Sequence, residues 1–148
     1  MQNFAKEYLS RYIHLSEKCA ALDDTIRKLR ERAESITISM DPNKVKSSPK
    51  IHDPIAEAVA SMADTEKMLE TTRAEAAKSM TEITKAIMSV KNDRLQLVLL
   101  LHYVNGLTWE QIAEVMSYDV RHIYRLHGIA LQEVNAYFDR MSCFVKNL

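Results

Sequence analysis

Glycine is nearly missing: Gly106 and Gly128 are the only two in a chain of 148 residues. Neither a P-loop nor a dinucleotide fingerprint can be built from them, because both need several closely spaced glycines to bring backbone N–H groups onto phosphate. Proline is almost as scarce, at three residues, so little interrupts helix formation. The two cysteines, Cys19 and Cys143, lie far apart with no CxxC pairing, and each is expected to be a small buried hydrophobe. The longest strictly apolar run, residues 97–101, falls far short of the roughly 18 residues that a spanning helix needs. No basic region followed by an apolar core opens the chain, so neither a signal peptide nor a membrane partner is expected. A soluble protein of the cytoplasm is.

Charge of one sign is missing too. Twenty basic and twenty acidic side chains cancel, and no long segment is strongly basic. A nucleic-acid binder built this way must concentrate its cations on one face. Catalytic signatures are also lacking. His102, His122 and His127 include no i,i+4 metal pair, there is no Gly-x-Ser-x-Gly elbow, and the adjacent acids Asp23 and Asp24 point in different directions on a helix. No enzyme activity, cofactor or metal is expected.

What is present is helical periodicity. Tyr8, Tyr12, Leu15, Cys19, Leu22, Ile26, Leu29, Ala33 and Ile36 follow one another at alternating steps of four and three, the seam of a coiled-coil-like helix over 3–36. Residues 37–53 hold two of the prolines and a Ser-Ser pair, and are expected to be a loop. Asp53 and Pro54 then fit the N-cap and first position of a second helix. Its seam is predicted to be Ile55, Val59, Met62, Glu66, Leu69, Arg73, Ala76, Met80, Ile83, Ile87 and Val90, with Glu66 and Arg73 as polar interruptions. The two seams predict an antiparallel helical hairpin over 1–90, although they could equally pair between chains, giving a homodimer.

A second domain is expected over 91–148. Asn92 or Asp93 caps a helix from Arg94 to Val104, with Leu95, Val98, Leu99 and either His102 or Tyr103 inward, and Gly106 supplies the left-handed end. Thr108 and Gln111 have the spacing of a capping box for a fourth helix, whose Ile112, Ala113 and Met116 face inward. After a turn at Ser117 and Tyr118, Asp119 caps a fifth helix running to about Phe138, buried through Ile123, Leu126, Ala130, Leu131 and Val134. A short capped helix, a tight turn, a small residue at the crossing and an apolar lock form a helix-turn-helix pattern. The exposed early part of the second helix of such motifs enters the major groove. Here it offers Arg121, His122, Tyr124, Arg125 and Gly128. Arginine can bond guanine edges or clamp phosphate, tyrosine can bond phosphate or stack on sugar, and glycine allows close approach. The fold class is therefore all-α, a long hairpin followed by a helix-turn-helix bundle, with double-stranded DNA as the expected partner.

The stretch Leu107-Thr-Trp-Glu-Gln-Ile-Ala-Glu-Val-Met, followed by Ile123 and Ala130-Leu131, resembles the fourth region of bacterial sigma factors. The longer strings, from Leu101 to Ala113 and from Arg121 to Gly128, are closer to small phage and prophage proteins of Gram-positive bacteria that are similar to phage late-gene transcription activators. The start Gln2–Leu9 and the hairpin look like that family as well. The resemblance implies a transcriptional regulator in the cytoplasm of a bacterial host, with RNA polymerase as a further partner. Two positions depart from the pattern: Ser117 stands where glycine is usual, and Gly128-Ile129 where basic residues are common. No promoter-melting segment precedes the motif, so a complete sigma factor is not expected. The alternatives are a phage DNA-packaging recognition subunit and a helical interaction protein that binds no DNA.

Overall fold

The computed structural model describes residues 2–39 and 53–146. The described elements are α1 (Gln2–Ser39), α2 (Pro54–Met88), α3 (Asp93–Leu99), a π-helical turn (Leu100–Val104), α4 (Trp109–Met116) and α5 (Val120–Lys146). They are all helical. Helix α1 reaches Ser39, so the predicted loop begins no earlier than residue 40, and residues 40–52 lie outside the described residues. The chain divides into two compact units, Ser16–Ala74 and the combination of Met1–Leu15 with Glu75–Leu148.

The unit Ser16–Ala74 is the hairpin. Asp53 caps α2, its carboxylate accepting from the Ile55 N–H at 3.0 Å and the Ala56 N–H at 3.3 Å. On α1 the predicted seam is the less exposed face throughout, with Ile26 buried. On α2 only one of the two predicted rows is right. Met62 and Leu69 face inward as expected, but the second row is shifted one residue earlier, to Ala58, Thr65 and Thr72, while Val59, Glu66 and Arg73 are exposed. Small size decides this. A row of alanine and threonine lets the opposing backbone approach, and each threonine satisfies its hydroxyl on its own helix, Thr65 donating to the Ser61 carbonyl and Thr72 to the Met68 carbonyl, both at 2.7 Å. A hydroxyl bonded in this way costs little to bury. Arg73 instead sits at the seam's edge and pairs with Asp23 of α1 at 3.1 Å. Both side chains are more than half exposed, so the pair is worth only about 0–1 kcal/mol.

In the other unit α2 continues the same register through Ala76, Ser79, Ile83, Ala86 and Val90, so Met80 is also exposed where the seam was predicted, while Ile87 is buried beside Ala86. Here α1 has a wider buried face than a two-row seam. Ala5 and Leu9, outside the predicted seam, are fully buried in one core with Ile83, Ile87, Val90, Leu95, Leu99, Tyr103, Ala130, Leu131 and Val134. The reason is a second neighbour: Phe4 and Tyr8 meet Phe138 of α5 edge-on at 5.3 and 4.5 Å. The division falls away from residue 90, because Ala5 and Leu9 of α1, Ile83 and Ile87 of α2 and Val90 just after it share one core with the C-terminal helices.

Asn92, not Asp93, caps α3, accepting from the Arg94 N–H at 2.9 Å. The last turn widens to π geometry, with the Asn105 N–H donating to the Leu100 carbonyl, and Gly106 (φ 73°) lets the chain reverse. With more residues per turn, Tyr103 comes into line with Leu99 and is buried, leaving His102 only half-buried. The capping box of Thr108 and Gln111 is formed in both directions, at 3.3 and 2.9 Å. Ser117 ends α4 in the left-handed conformation (φ 56°), and Asp119 caps α5 by accepting from the Arg121 N–H at 3.0 Å. Helix α5 runs eight residues beyond the predicted end at Phe138, since nothing between Asp139 and Lys146 breaks it. That extension is exposed and carries Cys143, which is therefore not the buried hydrophobe expected, whereas Cys19 is half-buried on its seam.

Two outcomes check these assignments. Thr72→Leu is expected to destabilise the chain by about 1–3 kcal/mol in urea unfolding, because it overfills the small-residue row, while Arg73→Ala costs at most about 1 kcal/mol. The reverse ranking would restore the originally predicted seam. Ser117→Gly is expected to raise stability by about 1 kcal/mol, through relief of the left-handed backbone.

Candidate nucleic-acid interface

The surface at issue is the first two turns of α5. The Asp119 cap fixes where the helix starts, and Ile123, fully buried against Val98, Leu101, Ile112 and Ala113, fixes how it is rotated. Residues 121, 124, 125 and 128 follow at steps of three, one and three, which places them on one face. Arg121, Tyr124 and Arg125 are exposed, and neither guanidinium has an ion-pair partner among the described residues. Gly128 is partly exposed on the same face, and a Cβ added there would meet nothing within 4 Å. Its lack of a side chain is therefore not demanded by packing within the described chain, and it leaves the helix backbone open to an outside group.

His122, predicted with this set, does not share its face. It lies on the flank, half-buried, with its ring edge-on to Tyr118 at 4.8 Å. On Tyr118 sits a residue the sequence pattern did not single out: the Arg94 guanidinium lies 6.0 Å from the ring centre. Periodicity marked Arg94 only as the start of α3. Its proximity to the turn comes from the packing of α3 against α5, which no local signal carries.

Beneath the face lies a polar aromatic cluster, also missed. His102 stacks on Trp109 at 3.8 Å and 20°, and its Nδ1 lies 2.9 Å from the Leu107 carbonyl, to which it donates. His127 of α5 packs on Trp109 at 4.4 Å, and its Nε2 lies 2.7 Å from the Tyr103 hydroxyl. The cluster ties the π turn, α4 and α5 together one turn below Ile123. Burial, reinforced by His102 and Lys6, pushes the His127 pKa down to about 4, so the imidazole is neutral near pH 7. Burial likewise raises the Tyr103 phenol above its ordinary range, so it keeps its proton. From the sequence His102 is a candidate inward residue, and both histidines enter otherwise only as metal ligands. Among the described residues no group of three or more His, Cys, Asp or Glu side chains is placed to hold a metal ion, and no helix is long and apolar enough to cross a membrane.

The cluster has a pH signature. His127 binds its proton near pH 6.5 when unfolded and near 4 when folded, so the unfolded chain takes up more protons between those values. Its contribution is complete above pH 6.5, falls as pH drops from 6.5 to 4, and changes no further below 4. Allowing for partial solvent access, the loss is expected to be about 2 kcal/mol. Urea titrations across this window should show it in the wild type and show it removed in His127→Gln. Tyr103→Phe should cost about 1–3 kcal/mol at pH 7 by leaving Nε2 unbonded. No difference between the wild-type and His127→Gln pH profiles would contradict the burial of this group.

No curated protein and no solved structure matches the chain. One family model does, over residues 39–135, and its description is a protein of unknown function (DUF1492). The matched stretch takes in α2, α3, the π turn, α4 and most of α5, and so includes both the exposed face and the cluster beneath it. That is well over half of the sequence, and the chain belongs to the DUF1492 family.

Proposed function

We propose that the chain is a sequence-specific, double-stranded DNA-binding regulator that acts on phage or prophage genes through a helix-turn-helix made of α4, the turn at 117–119 and α5. The observation that carries this is the face of α5: two arginines without an ion-pair partner among the described residues, and a tyrosine, exposed at i, i+3 and i+4 just after the cap. That is the place from which a second helix reaches base edges in the major groove. The left-handed Ser117 supports it, because φ 56° is the backbone region that glycine favours, and glycine is the usual residue at this position of the sigma pattern. In this reading Arg121 and Arg125 bond guanine edges or phosphate, Tyr124 bonds phosphate or packs on sugar, and Gly128 admits the backbone of the duplex. Contact through so few cations is weak alone. The outer faces of the hairpin then serve to pair two copies or to engage RNA polymerase, so that weak contacts combine.

The balanced charge favours one other reading, a helical interaction protein that binds no DNA. Binding to labelled duplexes tiled across the gene's own neighbourhood separates the two. The wild type should bind at least one duplex with an affinity that falls steeply with salt, and Arg121→Ala/Arg125→Ala should weaken it by a factor of about 10–100. Absent or salt-insensitive binding by the wild type would overturn the proposal.

A further inference from the structure

The turn between α4 and α5 carries three groups that the α5 face does not account for. Tyr118, half-buried, is packed with Trp109, Met116 and Val120 around the buried cluster of Val98, Leu101, Ile112, Ala113 and Ile123, so its ring is held in place. The Arg94 guanidinium lies over that ring at 6.0 Å, and the His122 ring stands edge-on to it at 4.8 Å. One residue comes from α3, one from the turn and one from α5. A guanidinium and an imidazole both lie against one fixed phenol ring, which gathers three hydrogen-bond donors at the turn. An aromatic surface beneath a guanidinium limits its freedom without neutralising it. Asp119, next to Tyr118, is occupied in capping α5 through the Arg121 N–H, and Asp93, next to Arg94 in sequence, begins α3. Among the described residues Arg94 has no ion-pair partner, so its charge is available to an anion.

We infer that Arg94, Tyr118 and His122 form a phosphate-binding ledge for the backbone of a nucleic-acid duplex, set beside the base-reading face and indifferent to base sequence. The inference rests on the duplex-binding reading above and adds a division of labour to it. His122, one residue from Arg121 but turned off its face, then belongs to backbone positioning and not to base readout. Arg121 and Arg125 discriminate between sequences, with Tyr124 beside them on the duplex backbone, while the ledge holds the strand that passes over the turn. A phosphate contact anchors the register of a reading helix and carries no sequence information itself. It contributes through counterion release, which gives it a measurable mark: each phosphate neutralised adds about 0.9 to the slope of log affinity against log salt.

The test uses the full chain, fluorescence anisotropy, one mixed-sequence 30-base-pair duplex and the tightest-binding duplex from the gene's neighbourhood, across a series of salt concentrations. Arg94→Gln is exposed and leaves the core untouched. It should weaken binding to both duplexes by the same factor, on the order of fivefold, and lower the salt slope by about one. Lys91→Gln, a neighbouring exposed cation that makes no cation–π pair with Tyr118 among the described residues, should do neither. Arg121→Ala/Arg125→Ala should instead reduce the preference between the two duplexes. Unchanged affinity and slope in Arg94→Gln, with binding still lost in the double arginine variant, would overturn the ledge and leave the duplex reading intact. An equal loss in Lys91→Gln and Arg94→Gln would overturn it too, since generic positive charge would then explain both. No binding of either duplex by the wild type would overturn the reading on which the ledge rests.

Discussion

Ile123 is fully buried among Val98, Leu101, Ile112 and Ala113, and the orientation of the α5 surface follows from that one side chain. A helix of 27 residues with an apolar stripe could rotate by some tens of degrees and still bury much of it. The burial of Ile123 in one cluster with Ala113 and Ile112 of α4 opposes that rotation, because turning α5 would expose it or drive it into its neighbours. The Asp119 cap sets the first helical residue, Ile123 sets the rotation, and the exposure of Arg121, Tyr124 and Arg125 is a consequence of the two together.

The polar cluster reinforces this constraint by different physics. Apolar packing resists displacement without specifying direction, whereas the Tyr103–His127 bond holds α5 against the π turn at a defined distance. Its members are satisfied: His102 bonds the Leu107 carbonyl and His127 bonds Tyr103, while Trp109 stacks on His102 and lies tilted against His127. A buried polar network of this kind costs little when complete and a good deal when one partner is removed. The π turn is part of the arrangement, since it brings the phenol to the side where His127 lies.

Much of this was legible in the sequence. The caps at Asp53, Thr108 with Gln111, and Asp119 were readable because capping depends on local residue types, and so were the buried positions of α4 and α5, which follow one dominant period. Of the expected set, Arg121, Tyr124, Arg125 and Gly128 share one face, whereas His122 turns to the flank against Tyr118. Errors arose where size or a third element decided the outcome. The α2 seam was placed one residue late in one row because Val59, Glu66, Arg73 and Met80 fit an apolar-or-long-stem template, while the actual row of Ala58, Thr65, Thr72, Ser79 and Ala86 is selected for close approach. Ala5 and Leu9 were overlooked because nothing near them announces that α5 will lie across that part of α1. The pairings of Arg94 with Tyr118 and of Tyr103 with His127 bridge elements far apart in sequence and leave no periodic trace. The end of α5 was placed early because burial stops at Phe138, although the backbone has no reason to.

In the proposed function, α5 presents a fixed, two-arginine face to a DNA duplex. The most direct measurement is an amide chemical-shift map of the chain titrated with its tightest-binding duplex. Perturbations should concentrate between Thr108 and Gly128 and near Arg94, with the interior of the hairpin, Ala58 to Thr72, unmoved. A map that leaves Arg121 to Gly128 undisturbed while the hairpin or the exposed end of α5 responds would contradict it.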